Sequence, residues 1–253
     1  GAFTLLVGRL ESETAPENRA AILQGLGQLG DREATPVLTA ALAGEGDPLS
    51  RRAAALALGK LGDPQAVGPL TSALANRSDP LLRQAAILSL GQLRHPDAVG
   101  PLAGLLGDGE IVTVVLAVRS LGETGHPSAV EPLSTLGKRA TAESERLARA
   151  GSQQRGFSRR LDLLTVRVEA TAALGRLADP RAWPLIERGL TAKLPPRDSA
   201  EGLRLRERTY ELRRTAVFAL ASMPDPNRVG RWVRALLKDP DPRIRAEAAR
   251  AVG

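Results

Sequence analysis

The apolar positions of "RQAAILSLGQL" fall at i, i+3, i+4 and i+7, the spacing of an amphipathic helix. A glycine and a "DP" turn end that pattern. A second apolar run such as "AVGPLTSAL" follows, with Pro69 in its first turn, where a missing N–H costs little. The same two-part unit begins again at Arg19 ("RAAILQGLGQLGDREATPVLTAAL"), Arg51 ("RRAAALALGKLGDPQAVGPLTSAL") and Arg83 ("RQAAILSLGQLRHPDAVGPLAGLL"). A Leu-Gly mark recurs at Gly27, Gly59, Gly91, Gly122 and Gly175, then as Leu220-Ala221 and Val252-Gly253, at spacings of 32, 32, 31, 53, 46 and 32 residues. Each unit is predicted to be a helical hairpin that cannot bury its apolar faces alone, so neighbours must stack into one continuous core.

The expected fold is therefore all-α: a right-handed α-solenoid of about seven stacked hairpins, forming one repeat domain over residues 1–253. Two spacings break the period. They place insertions at about 138–160 and 193–210, both between a second helix and the next first helix, so both are expected on one edge of the array. Leu6 takes the slot of Leu70, so the chain opens at a second helix, and it closes after a first helix without a polar cap. The expectation is a piece of a longer polypeptide.

An Arg stands eight positions before the mark at Arg19, Arg51, Arg83, Arg167, Arg213 and Arg245, with Val114 in its place in one unit. With the run "AA..LG.LGDP.AV..L" and the closing Leu-rich helix, this pattern resembles the HEAT-like repeat of the phycobilisome lyase type. The resemblance covers the chain apart from the two insertions. It implies an α-solenoid, and as functions it admits bilin lyases, antenna-degradation factors, nucleic-acid binders and adaptors.

Composition narrows the chemistry. Only 2% of residues are aromatic, so the core is expected to be Leu, Ala and Val, which suits thin, closely packed helices. There is no cysteine, which removes disulfides, thiolate ligands and cysteine nucleophiles. No apolar run approaches the roughly 20 residues needed to cross a bilayer, and a cytoplasmic location is expected. The charge of +7 is concentrated. Residues 138 to 160 hold seven Lys or Arg against two Glu, and residues 193 to 214 hold seven against four Asp or Glu, leaving the rest near neutral. An acidic partner is implied.

Several local signals have ordinary explanations. "GLGQLG" (Gly25 to Gly30) matches a dinucleotide fingerprint but ends a helix instead of opening one after a strand. His95 and His126 replace the Asp of "DP" in successive units and are read as turn residues, without the Cys or His-Glu companions of a metal site. Asp47, Asp79 and Asp241 precede a proline and are expected to cap helices. Trp183 and Trp232 are expected in the core, whereas Phe157 and Tyr210, in or beside the insertions, are expected as exposed interface anchors. No Ser/His/Asp arrangement, Walker-type loop or zinc spacing is present, so neither an enzyme of conventional type nor a cofactor is expected.

The expected function is a non-enzymatic protein-binding scaffold or linker domain that grips an acidic protein through a concave helix face and a basic edge. The partner-binding residues would be Lys138, Arg139, Arg146, Arg149, Arg155, Phe157, Arg159, Arg160, Arg197, Arg204, Arg206, Arg208 and Tyr210. The resemblance implies an acidic antenna component of the phycobiliprotein kind as partner. A bilin lyase or bilin-handling subunit is the first alternative. A nucleic-acid binder is the second, disfavoured by the scarcity of aromatic side chains for stacking.

Overall fold

The computed structural model describes residues 1–44, 46–150 and 154–251, with side chains described from residue 156 in the last stretch. The final mark, Val252-Gly253, lies outside the described residues. The fold is all-α, and among the described residues there are helices and no strands. No helix there is long and apolar enough to cross a membrane. The chain divides into two compact units, Gly1–Asp108 and Gly109–Gly253.

Unit one holds α1 (Ala2–Ser12), α2 (Pro16–Leu29), α3 (Ala34–Ala43), α4 (Pro48–Leu61), α5 (Val67–Ala73), α6 (Pro80–Gln92) and α7 (Val99–Gly104). Unit two holds α8 (Ile111–Glu123), α9 (Val130–Arg149), α10 (Gln154–Leu177), α11 (Trp183–Leu190), α12 (Ala200–Ala221), α13 (Pro226–Leu236) and α14 (Pro242–Arg250). Even-numbered helices are the first members of the predicted hairpins and odd-numbered helices the second. Four second helices, α5, α7, α9 and α11, are entered through a one-turn 3-10 helix that starts at the proline of the "DP" or "HP" slot.

The core is aliphatic. Leu23, Leu26, Leu38, Leu58, Leu70, Leu82, Ile87 and Leu90 of unit one, and Val118, Leu121, Leu133, Leu174, Ile186 and Leu220 of unit two, are fully buried. Each such side chain contributes about 1.5–3 kcal/mol. The glycine of the Leu-Gly mark explains how the helices approach so closely. A Cβ on Gly59 would stand 2.6 Å from Ser89 Cα, and one on Gly175 would stand 2.7 Å from Ala219 Cβ. The mark is therefore a crossing point between successive first helices. The helix stop is a separate residue: Gly62 ends α4 at φ 70°, and Arg94 and Ala178 adopt the same left-handed turn without glycine.

The helix starts match the expected caps. Asp47 Oδ1 accepts from the Ser50 N–H at 2.7 Å, Asp79 Oδ1 from Leu82 at 3.0 Å, and Asp241 Oδ1 from Arg243 at 3.0 Å. His95 and His126 accept the N–H of Asp97 and Ser128 through Nδ1, each at 3.3 Å, as capping residues of a turn.

The repeated arginine has a job that spacing alone did not reveal. Arg51 Nε donates to the Leu42 carbonyl at 3.1 Å and Arg83 Nε to Leu74 at 3.0 Å, each reaching nine residues back. Arg19 does the same to Leu10 through Nη1. These carbonyls end a second helix and lack an intrahelical partner, so the guanidinium caps the helix from the next unit along. Arg213 Nε reaches the Leu190 carbonyl at 3.0 Å, 23 residues back. That is the same contact with the insertion of about 14 residues spliced in between.

Candidate functional site

Unit two departs from the repeat through long helices. The first insertion extends the C-terminal end of α9, which has 20 residues, and the N-terminal end of α10, which has 24. The second supplies residues 191–199 and the N-terminal half of α12, which has 22. Residues 151–153, at the tip of the first insertion, lie outside the described residues.

These extensions are tied together. Arg159 on α10 donates to Glu143 on α9 at 3.0 Å, which holds the Glu143 carboxyl below its ordinary pKa and the Arg159 guanidinium above its own. Phe157 and Leu164 of α10 bury against Leu205 and Leu212 of α12, with Leu161, Val168 and Ala192 packed around them. Phe157 is thus a correction: it is 6% exposed and fills a small core of its own instead of standing out as an interface anchor. The reason is that the insertions fold as helices with their own apolar stripes, and the largest apolar side chain goes inside. Tyr210 is half-buried under the Arg243 guanidinium, which lies 3.8 Å from the ring centroid.

The predicted cations fall into three groups. Arg159 and Arg208 are held in ion pairs, with Glu143 and Glu211. Arg206 is half-buried and donates through Nη1 to the Pro195 carbonyl at 2.8 Å, pinning the 191–199 segment to α12. The remaining described cations, Lys138, Arg139, Arg146, Arg149, Arg160, Arg197 and Arg204, make no ion pair among the described residues. All of them except the half-buried Arg160 are exposed. Arg155 lies in α10, and its side chain lies outside those described. On α9, positions 138, 139, 146 and 149 share the face opposite the buried Leu133, Gly137, Ala140 and Ser144.

A cleft of about 630 Å³ opens between α9, α10, α11 and α12. Arg149, Arg160, Arg167, Arg188 and Lys193 line it with a single carboxylate, Glu145. Hydroxyls of Thr141, Ser144, Thr191 and Thr209 contribute to the same wall. Arg160 Nε is buried and meets no acceptor among the described residues. Burial pushes the Arg167 pKa down from its ordinary value, and the like charge of Arg188 adds to the effect.

Sequence reasoning did not single out Arg167, Arg188 or Lys193. Arg167 looked like one more ladder arginine. The signal was present in its partner slot: the position of Leu42, Leu74 and Leu190 is taken by Gly137. Gly137 lies well inside α9, where its carbonyl already accepts from the Thr141 hydroxyl at 2.8 Å. Also missed were Leu203 and Phe218, each 48% exposed on α12, with Arg214 over the Phe218 ring. Trp183 is in the core as expected. Trp232 is half-buried and donates through Nε1 to Glu187 at 2.9 Å. Among the described residues, no group of three or more His, Asp or Glu could hold a metal ion.

The profile for HEAT repeats matches residues 4–90, 67–152 and 200–253, well over half of the sequence. The chain belongs to the HEAT-repeat family. A second profile, the PBS lyase HEAT-like repeat, matches residues 166–191, the stretch that carries Arg167 and Arg188. No curated protein matches the sequence of this HEAT-repeat chain. It is similar to the complex of CpcE and CpcF of phycocyanin lyase from Nostoc sp. PCC7120, at 23% identity over 89% of this chain and 96% of that one, with TM-score 0.40. It is also similar to human deoxyhypusine hydroxylase, at 20% identity over 95% and 80% of the two chains, with TM-score 0.38. Kap95p, from a study of its binding to RanGDP, shares 14% identity over 99% of this chain and 38% of that one, with TM-score 0.41. These are likenesses of fold.

Proposed function

We propose that this HEAT-repeat chain is a non-enzymatic protein-binding scaffold whose lengthened helices in unit two grip an acidic protein. The observation that carries the reading is the outward face of α9, where Lys138, Arg139, Arg146 and Arg149 stand exposed without ion pairs. Unpaired surface cations keep their full hydration and their field, and so steer and dock an anionic surface. The aromatic and aliphatic side chains on α12, Leu203 and Phe218, give the same partner an apolar contact beside Arg204 and Arg214. The packing of Phe157 against Leu205 supports treating the two insertions as one surface.

The match to a PBS lyase HEAT-like repeat favours an acidic antenna protein of the phycobiliprotein kind as the partner. It equally raises a bilin-handling subunit. That reading needs an apolar groove for a tetrapyrrole, whereas the cleft of unit two is lined chiefly by arginines and hydroxyls, which favours the scaffold.

The test uses purified phycocyanin as probe on an immobilised chain. Wild type should bind, with affinity falling as salt rises, and a triple variant, Lys138→Ser, Arg139→Ser and Arg146→Ser, should keep its helicity and melting while binding about tenfold or more weakly. Equal binding by the variant would remove α9 as the interface. A covalent coloured adduct on mixing with bilin and apo-phycocyanin would replace the scaffold by the lyase.

A further inference from the structure

Gathering cations in a partly buried space is costly unless something pairs them. The cleft of unit two does so with five cations around one carboxylate, Glu145. Arg160 Nε is buried there without an acceptor. Arg167, the ladder arginine of its unit, is largely buried and has no hydrogen bond or ion pair among the described residues, although Arg51, Arg83 and Arg213 all reach a helix-end carbonyl. Several guanidinium forks facing one space are what an interior avoids and what an oxyanion site requires, because each fork can donate two parallel N–H bonds to phosphoryl oxygens.

We infer that this cleft is a binding site for a compact polyanionic small molecule, a phosphate ester or pyrophosphate on a non-aromatic body, held by Arg160, Arg167 and Arg188. The charge ratio sets the class, since one carboxylate on a ligand would leave most of the cations unmatched. The volume of about 630 Å³ lies in the range of small-molecule pockets and well above that of a single phosphate. No aromatic side chain lines the cleft, so a nucleobase would find nothing to stack on. The site goes beyond the protein-binding reading and stands without it. Lys138 and Arg139 belong to the outward face of α9 and not to the cleft lining.

Inorganic pyrophosphate is the probe, titrated calorimetrically into the full chain at physiological salt, with melting followed in parallel. Wild type should bind and gain melting temperature. Arg167→Gln and Arg160→Gln should each weaken binding by about tenfold, the loss expected for a charged bidentate contact. Lys238→Gln, an exposed cation elsewhere in unit two, should bind as wild type. Should Arg167→Gln fail to fold, Arg188→Gln on the exposed rim takes its place, with a loss of about fivefold. The proposal is overturned if wild type takes up no pyrophosphate at about 5 mM. Folded cleft variants that bind like wild type overturn it too, as does a Lys238→Gln variant that loses as much as they do. Failure here leaves phycocyanin binding by the α9 face to be judged by its own assay, and the triple variant on that face should still bind pyrophosphate.

Discussion

Arg83 in unit one and Arg167 in unit two occupy the same place in the repeat and have opposite surroundings. Arg83 donates to the end of α5 at Leu74 and to Asp108, and is held on both sides. Arg167 faces a helix that does not end where the repeat says it should. α9 runs on for a further 12 residues beyond Gly137, so the carbonyl that Arg167 would cap is consumed within the helix and by Thr141. A capping residue is thus defined by an available acceptor, not by its slot. Lengthening one helix was enough to release a cation into a cleft, with no change in the arginine itself.

The largest expected effect tests whether the insertions fold as part of the molecule. Phe157→Ala should cost about 3–5 kcal/mol in urea unfolding of unit two, the loss for emptying a buried aromatic site against Leu164, Leu205 and Leu212. Unit one should keep its own transition. If stability is unchanged and only partner binding falls, Phe157 is a surface anchor after all, and the small core between α10 and α12 is lost with that result.

Next in size is the helix crossing, which compares the units directly. Gly59→Ala in unit one and Gly175→Ala in unit two each place a Cβ less than 3 Å from a facing residue, with backbone atoms among the contacts. Each should cost about 3 kcal/mol, because backbone must shift to admit the methyl. Gly68→Ala, with open space around it, should be neutral or slightly stabilising, by about 0.5 kcal/mol. A Gly175→Ala cost under half that of Gly59→Ala would show that the insertions loosen the stacking in unit two.

Much of this architecture was legible in the chain. The 3.6 period, the "DP" starts and the Leu-Gly mark give the helices, their caps and their order, because each is a local signal read over a few residues. The insertion lengths were legible too, since Arg213 and Leu190 keep their contact across about 14 extra residues. What was not legible was how the inserted residues fold. Phe157 among arginines looks exposed until α12 supplies Leu205 and Leu212 from nearly fifty residues away. Arg206 looks like a surface cation until Pro195 bends back to meet it. Both depend on long-range packing, which the pattern of one segment does not contain. Arg167 is the intermediate case, as its missing partner could be inferred by aligning Gly137 with Leu42 and Leu74.

The sharpest test of the comparison replaces each arginine by methionine, which keeps the apolar stem and removes the charged fork. Arg83→Met strips a charged donor from the Leu74 carbonyl and from the buried Asp108, and should cost unit one about 2 kcal/mol. Arg167→Met removes a largely buried cation that makes no hydrogen bond, among neighbours of its own sign, so unit two should be unchanged or gain up to about 1 kcal/mol. Chemical denaturation of the two variants beside wild type measures both. The gap between them, about 2–3 kcal/mol at one and the same repeat position, is the energetic signature of a residue moved from capping to waiting on a ligand. A loss at Arg167 equal to that at Arg83 would mean that it still holds the stack together, and the cleft would then be a by-product of packing.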